Sequence, residues 1–287
     1  MRFETPKSVE DAVALLAADP QAMVLAGGTD LLVRLRARQI NPSAVIDVKR
    51  IAEMTTITRE ADGSWRIGAA VSSAEMNEHT TLKADWPGVC EAADLIGSTQ
   101  VQGRATIVGN LCNAGPAADS VPAMVAARAT IRIQGPDGSR DIPVEDVPTA
   151  PGTTSLKPGE LVTSVHLPAR ASRSGSAYLR FIPRTEMDIA VVGCGIVLQF
   201  DEADTITDAC VSLGAVGPKV MLVPEAAKAL IGTKGDNAAL EAAAAVCSAA
   251  ATPIDDKRGT VEFRKDIAGV LAKRTAKIAM SRAKGEA

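Results

Sequence analysis

Aromatic residues and histidines are scarce in this chain. Only 2% of its 287 residues are Phe, Trp or Tyr, and only two residues are histidines. The shortage of aromatic side chains argues against the stacking platforms that bind single-stranded nucleic acid. Lys and Arg total 31 against 34 Asp and Glu, which leaves no overall positive field to attract a phosphate backbone. We therefore expect no nucleic-acid partner.

Long apolar runs and paired cysteines are also missing. No run approaches the roughly 20 residues that a membrane-spanning helix needs, and the N-terminus lacks the basic flank and apolar stretch of a secretory signal. The five cysteines are widely scattered and include no C-x-x-C pair, a pattern that suits neither a disulfide framework nor a zinc or iron–sulfur cage. The sequence predicts a cytoplasmic protein with no transmembrane segment and no metal of its own.

Motifs of hydrolytic and nucleotide chemistry are absent as well. The chain has no G-x-S-x-G elbow, no G-x-x-x-x-G-K-[ST] phosphate loop and no G-x-G-x-x-G dinucleotide fingerprint. His79 falls near a predicted helix end and His166 in a predicted strand, where structural roles are the usual ones. The sequence therefore gives little support to hydrolytic or zinc chemistry.

Length and composition fit a folded protein of two units. Hydrophobic residues make up 46% and charged residues 23% of the chain, the balance of a globular protein. The length of 287 residues exceeds the roughly 150 residues that one domain usually takes. Residues 169–176 are rich in Ser, Arg and Gly and are the best linker candidate. We predict an α+β protein with an N-terminal domain over 1–175 and a C-terminal domain over 176–287.

The N-terminal domain divides into two predicted subdomains. In residues 1–57, an apolar run at 23–26 stops at a Gly-Gly turn, and a helix-type pattern and a second apolar run at 44–48 follow. This order predicts a small βαβ unit with parallel strands and a right-handed crossover. Residues 58–175 predict a mixed α/β subdomain, in which 97–122 reads as an extended loop rich in Gly, Asn, Ser and Pro.

The C-terminal domain shows strands first and helices afterwards. This separation is typical of an antiparallel sheet with helices packed on one face, so we predict three antiparallel strands and a helical bundle. The predicted strands are Ser176–Phe181, Ile189–Phe200 and Ile206–Ala215, and the predicted helices are Pro224–Ile231, Ala238–Ala250 and Glu262–Ala283.

A first glycine-bearing bend, Ala26-Gly27-Gly28-Thr29-Asp30, lies between a predicted strand and a predicted helix. Without Cβ atoms the backbone can approach a ligand closely, and several N–H groups can converge on one concavity at the positive end of the helix. Such a bend suits a pyrophosphate. The alternative is an ordinary turn between two elements.

A second bend, Thr106-Ile107-Val108-Gly109-Asn110, leads into a polar stretch that ends at Asp119. Its hydroxyl and amide groups, together with one carboxylate, suit the hydroxyls of a sugar-like chain. The alternative is a long polar surface loop, which is uncommon inside a compact domain unless it has a function.

Three sequence blocks together resemble a known family. They are A-G-G-T-D-L-L-V from residue 26, T-I-x-G-N-L with an Asp nine residues after its Asn, and R-T-E-M-D-I-A at 184–190. In this order they resemble the FAD-binding medium subunit of the molybdenum hydroxylases, which include carbon monoxide dehydrogenase and xanthine dehydrogenase. The resemblance spans nearly the whole chain. It implies a PCMH-type FAD-binding domain in which the flavin carries the redox chemistry, so that no catalytic residue is needed.

The resemblance also implies which residues contact FAD. The two bends would hold the pyrophosphate and neighbouring groups, Asp119 would bind along the sugar-like chain, and Leu161 or Val162 would approach the isoalloxazine ring. The implied residues are Val24, Leu25, Ala26, Gly27, Gly28, Thr29, Asp30, Thr106, Ile107, Val108, Gly109, Asn110, Asp119, Leu161 and Arg180.

One residue departs from the family pattern. Relatives commonly have two glycines where this chain has Val108 and Gly109, and valine is costly at positive φ. Either this position needs no unusual dihedral angle, or the bend is altered and FAD binding is weakened.

The same resemblance implies partner chains. A small iron–sulfur subunit would carry two two-iron two-sulfur clusters, and a large subunit would carry the molybdenum cofactor, assembled as a dimer of heterotrimers. Electrons would pass from molybdenum through the clusters to FAD and leave to an external acceptor. Two alternatives stay open: a stand-alone FAD-dependent oxidoreductase that uses Tyr178 or His166 as acid or base, and a scaffold subunit that has lost its flavin.

Overall fold

The computed structural model describes residues 1–286, and its first part is the predicted parallel unit. Ser8 starts the first helix, since its side chain accepts a hydrogen bond from the backbone N–H of Asp11 at 3.1 Å. The three strands are all parallel and lie in the order β1-β3-β2. The elements are β1 (Arg2–Glu4), α1 (Val9–Ala18), β2 (Met23–Leu25), α2 (Leu31–Arg36) and β3 (Ala44–Asp47).

A five-stranded antiparallel sheet forms the second subdomain, in the order β4-β5-β10-β6-β7. Its central strand, β10, covers 161–167 and pairs with β5 on one side and β6 on the other, with a register shift against β6 between Val162 and Ser164. The elements are β4 (Ile57–Arg59), β5 (Trp65–Gly68), α3 (Ser73–Glu78), α4 (Thr80–Asp85), α5 (Pro87–Asp94), α6 (Thr99–Gln102), α7 (Ile107–Cys112), α8 (Ser120–Ala126), β6 (Thr130–Gly135), β7 (Gly138–Pro143), β8 (Pro148–Ala150), β9 (Thr153–Thr154) and β10 (Leu161–Leu167).

The prediction of an extended loop over 97–122 is wrong. This stretch contains α6 and α7 and the start of α8. Glycine and asparagine have low helix propensity, but capping and burial override it here. The side chain of Thr106 accepts a hydrogen bond from the N–H of Gly109 at 2.8 Å, and Ile107 and Leu111 are fully buried. The second bend is therefore the beginning of a short helix.

The C-terminal domain has the predicted strands and helices and one additional strand. Its sheet is antiparallel in the order β11-β12-β13-β14, and β14 has only two residues, too few to show a period in the sequence. None of the helices within residues 1–286 is both long and apolar enough to cross a bilayer. The elements are β11 (Ser174–Phe181), β12 (Val192–Phe200), β13 (Ile206–Gly214), β14 (Met221–Leu222), α9 (Pro224–Leu230), α10 (Asn237–Ala250) and α11 (Val261–Lys284).

Helices of the N-terminal domain pack directly against the C-terminal sheet. A Cβ atom at Gly195 of β12 would lie 2.5 Å from the carbonyl oxygen of Pro122 in α8, and one at Gly88 of α5 would lie 2.8 Å from the nitrogen of Ala177 in β11. Only glycine permits such close contact between backbones. Helix α8, which follows the second bend, is therefore fixed by the C-terminal sheet.

Candidate cofactor-binding site

One cavity lies between the two N-terminal subdomains, and both bends line it. Its volume is ≈ 360 Å³, within the range of roughly 300–1,000 Å³ that small-molecule sites occupy. Its wall includes eleven of the fifteen residues that the sequence analysis implicates. These are Val24, Ala26, Gly27, Gly28, Thr29, Asp30, Thr106, Val108, Gly109, Asn110 and Leu161.

The first bend lies in contact with the second subdomain. A Cβ atom at Gly27 would lie 2.0 Å from the carbonyl oxygen of Arg104, so only glycine allows this approach. Gly28 has a φ of +80°, in the left-handed region that favours glycine. The ammonium group of Lys49 donates to the carbonyl oxygen of Ala26 at 3.0 Å. The bend is thus held from both sides. Gly27 is required by the close approach to Arg104, and Gly28 by its positive φ.

The second bend contains the residue that departs from the family pattern. Val108 lies in the first turn of α7, where the backbone is right-handed, and it packs in the core with 5% exposure. This conformation is an ordinary one for valine, so the position needs no unusual dihedral angle. The absence of a second glycine therefore causes no strain at the bend.

Polar and apolar groups share the wall of the cavity. The side-chain amide of Asn113 donates to Asp30 Oδ1 at 3.3 Å and so connects the two subdomains. Burial raises the pKa of the Asp30 carboxyl, and the nearby Arg34 cation opposes this rise. Ile96 and Leu156 supply apolar surface in the same cavity. Such a wall suits a ligand that has both a charged or hydroxylated part and a flat apolar part.

The other four implicated residues do not reach the wall. Leu25 and Ile107 are buried behind it, with 5% and 1% exposure. Asp119 and Arg180 form an ion pair of their own, with 2.6 Å between Arg180 Nη1 and Asp119 Oδ2. The hydroxyl of Tyr178 donates to the other carboxylate oxygen at 3.2 Å.

The buried ion pair between Asp119 and Arg180 is connected to the cavity wall through Ser120 and Asn110. Asn110 in the wall accepts hydrogen bonds from the backbone N–H and the hydroxyl of Ser120, at 3.1 and 2.8 Å, and Ser120 directly follows Asp119. Burial raises the pKa of the Asp119 carboxyl to about 6, although Arg180 and the Tyr178 hydroxyl lower it. The Nε of Arg180 is buried and finds no hydrogen-bond partner within the described chain.

A loop of the C-terminal domain reaches the N-terminal domain near the cavity. It contains the R-T-E-M-D-I-A block, and the N–H of Met187 donates to the carbonyl oxygen of Gly97 at 3.4 Å, next to Ile96 in the wall. Asp188 forms ion pairs with Arg184 at 3.3 Å and Arg258 at 3.5 Å. The block therefore shapes a loop and places no side chain in the cavity wall as described.

Sequence reasoning missed several residues of this site. Four residues that the sequence did not implicate line the cavity: Arg34, Ile96, Asn113 and Leu156. A fifth, Lys49, supports the first bend through its hydrogen bond to Ala26. Asn113 belongs to the polar stretch after the second bend, so its amide was a detectable signal. Lys49 follows β3 in an ordinary charged segment, and nothing in the sequence connects it with Ala26.

The residues present fit FAD. The cavity joins a glycine-bearing bend, which suits a pyrophosphate, to hydroxyl and amide groups and to an apolar wall at Leu161. A flavin dinucleotide has all of these parts in one molecule.

Comparison with known proteins identifies the family of the chain. The family described as the FAD binding domain in molybdopterin dehydrogenase matches residues 1–170, and the CO dehydrogenase flavoprotein C-terminal domain matches 177–279. The xanthine dehydrogenase FAD-binding subunit of Escherichia coli O157:H7 is 30% identical, and the alignment covers 99% of this chain and 97% of that subunit. The carbon monoxide dehydrogenase medium chain of Afipia carboxidovorans is 32% identical, and the alignment covers 98% of this chain and 97% of that medium chain.

A solved structure confirms the fold. The reconstituted CO dehydrogenase from Oligotropha carboxidovorans contains a chain that superposes with a TM-score of 0.93 and 31% identity, covering 98% of both chains. The two-part N-terminal domain is thus of the PCMH type, as predicted. The family matches together cover most of both domains, and the relatives are similar from end to end. This chain belongs to the family of FAD-binding medium subunits of the molybdenum hydroxylases.

Proposed function

We propose that this chain carries FAD and transfers electrons within a molybdenum-containing hydroxylase or dehydrogenase complex. Electrons would arrive from the iron–sulfur clusters of a small partner subunit, after substrate oxidation at the molybdenum cofactor of a large one, and leave to an external acceptor. The observation that carries this proposal is the contact between Gly27 and Arg104, because it brings the two bends to one cavity. The relatives named above, a FAD-binding subunit and a medium chain, support it.

Within that function the side chains bind and orient the cofactor. Bound FAD supplies the redox chemistry. The bend at 26–30 and the start of α7 would hold its polar part, and Leu161 would pack against its apolar ring. Asp119 and Arg180 would support this arrangement from behind, through Ser120 and Asn110.

The stand-alone oxidoreductase gains no support from the structure. It would need an acid or base beside the flavin, and Tyr178 and His166 are the candidates. The hydroxyl of Tyr178 is engaged with Asp119, and the residue is 2% exposed. His166 bonds Ser164 at 3.0 Å and lies in a separate crevice. Neither side chain lines the cavity as the structure describes it.

Finer features of the assembly belong to the same proposal. We place the complex in the cytoplasm as a dimer of heterotrimers, and we place the domain boundary near residue 175. The start of β11 at Ser174 supports this boundary. The matched relatives support a multi-subunit assembly, since their names describe a subunit and a medium chain.

The complex purified with its partners tests the proposal. We expect a flavin absorption band together with iron and molybdenum in one particle. Gly28→Val should abolish FAD retention while leaving the C-terminal domain folded, because a side chain there would be strained at positive φ. A colourless complex, or an active flavoprotein without iron and molybdenum, would overturn the proposal.

A further inference from the structure

Tyr178 is a buried side chain that the proposed function does not use directly. It is the only tyrosine of the chain, it is 2% exposed, and its hydroxyl lies 3.2 Å from Asp119 Oδ1. A buried hydroxyl without a partner is costly, so this bond decides where the tyrosine can lie. Tyr178 belongs to the C-terminal sheet and Asp119 to the FAD-binding domain, and the bond therefore joins the two domains.

The neighbouring strand leaves room for this hydroxyl. A Cβ atom at Gly193 of β12 would lie 2.6 Å from the Tyr178 oxygen. Any other residue at 193 would displace the hydroxyl from its position, because Tyr178 and Gly193 are both buried in a closely packed interior. The sheet thus provides a site for one phenol oxygen.

The two oxygens of Asp119 have different partners. Oδ1 accepts from Tyr178, and Oδ2 accepts from Arg180 Nη1 at 2.6 Å. The next residue, Ser120, donates to Asn110 in the cavity wall through both its backbone N–H and its hydroxyl. Hydrogen bonds at Asp119 and at Ser120, joined by the peptide bond between these two residues, therefore connect Tyr178 with Asn110 in the cavity wall.

We infer that Tyr178 is a positioning residue for the cofactor: its hydroxyl orients the Asp119 carboxylate toward Arg180 and, through Ser120, holds Asn110 in the cavity wall. This inference rests on the proposed function, since it concerns FAD bound in that cavity. It gives the C-terminal domain a share in cofactor binding, although that domain contributes no residue to the cavity wall as described.

The electrostatics of the site agree with this role. The pKa of Asp119 is raised to about 6 by burial, and the hydroxyl of Tyr178 is one of the groups that lower it. Removal of that hydroxyl should raise the pKa of Asp119 further, so that the carboxyl takes up a proton at a higher pH and releases Arg180. The other titratable groups around this pair are Glu91 on α5, Cys194 on β12 and Arg282 on α11.

The test measures FAD affinity of the deflavinated complex as a function of pH. FAD is titrated back between pH 5 and 8, and binding is followed by quenching of flavin fluorescence. For the wild type we expect affinity to fall as the pH drops through about 6. Tyr178→Phe should weaken binding about tenfold near pH 6.5, the value of one hydrogen bond to a charged group, and should shift the midpoint to higher pH.

A matched variant distinguishes positioning of Asp119 by Tyr178 from a general loosening of the contact between α8 and the C-terminal sheet. Ser212→Ala removes another buried hydroxyl that bonds α8, since Ser212 donates to the carbonyl oxygen of Pro122 at 3.0 Å. It does not touch Asp119, so its midpoint should equal that of the wild type. Gly193→Ala should reproduce the shift of Tyr178→Phe while keeping the hydroxyl itself.

The outcomes are distinct. Equal binding curves for Tyr178→Phe and the wild type at every pH would overturn the inference, and so would an equal shift in Ser212→Ala. If Tyr178→Phe fails to fold, Gly193→Ala takes its place: a shifted midpoint supports the inference, and a midpoint equal to that of the wild type overturns it. A wild-type complex that binds no FAD at any pH would instead overturn the proposed function.

Discussion

The side-chain amide of Asn113 donates a hydrogen bond to Asp30 Oδ1 at 3.3 Å, across the cavity and between residues 83 positions apart in the chain. Asp30 ends the first bend, and Asn113 follows the helix that begins at the second. The bond therefore closes one side of the space in which the cofactor would lie. Because the bond joins two subdomains, a change in their relative position would lengthen or break it.

Removal of this amide should weaken FAD binding without unfolding the protein. Asn113→Ala loses one hydrogen bond to a carboxylate, which corresponds to about a tenfold loss in affinity. Asn77→Ala is the matched control, because Asn77 makes the same kind of bond to Asp94 at 3.1 Å and does not line the cavity. Titration of the deflavinated protein with FAD measures both variants. Equal affinities would show that the bond does not help to hold the cofactor.

The contact at Gly27 predicts a larger effect. In Gly27→Ala the new Cβ would meet the backbone of Arg104, so the two subdomains must move apart. We expect loss of FAD retention on gel filtration and a destabilisation of about 1–3 kcal/mol, as for other overpacked sites. Gly103→Ala serves as the control, since no atom lies within 4 Å of its added Cβ. If both variants keep their flavin band, the first bend does not depend on this close approach.

Restoring the glycine of the relatives at position 108 should not improve binding. Val108 packs in the core at the start of α7, and Val108→Gly would lose buried apolar surface and add backbone freedom. The expected cost is about 2–3 kcal/mol of unfolding free energy. Urea unfolding measures this cost, and FAD titration measures affinity. A tighter complex in Val108→Gly would mean that the valine does weaken the cofactor site.

Local patterns in the sequence predicted the elements that burial makes periodic. The helix predicted at Glu262–Ala283 was found at Val261–Lys284, and its buried residues recur at helical spacing. Strand β1 has only three residues, none of them buried, so it gives no period to detect. The helices within 97–122 were missed because the composition of this stretch favours loops. Helix α7 forms because Thr106 caps it and its apolar residues are buried in the folded protein.

The candidate site was predictable in part. Both bends could be found because glycine marks the close approaches of the backbone, as at Gly27. The pairing of Asp119 with Arg180 could not, since the two residues lie 61 positions apart and meet only where α8 packs on the C-terminal sheet. The same holds for Tyr178, whose partner depends on space that Gly193 leaves in a neighbouring strand.

The buried Asp119 should give the protein an unusual dependence on pH. The folded-state pKa of this carboxyl, about 6, lies above its ordinary value of 3.8, so between these values the folded state binds more protons than the unfolded state. The contribution of Asp119 to stability is therefore fully present below about pH 4 and is lost as the pH rises through 6. Asp208, whose pKa is lowered by Arg128, has the opposite dependence.

A comparison with Asp119→Asn isolates this contribution, because the asparagine does not titrate. The unfolding free energy of the wild type should rise relative to that of the variant by about 2.5 kcal/mol as the pH falls from 7 to 4. Urea unfolding at several pH values measures the difference, and Asp208→Asn, which removes an exposed ion pair, gives the reference of opposite sign. Protonation of Asp119 should stabilise the fold while it weakens FAD binding, since the neutral carboxyl no longer holds Arg180. A constant difference between wild type and Asp119→Asn across this range would show that Asp119 ionises normally.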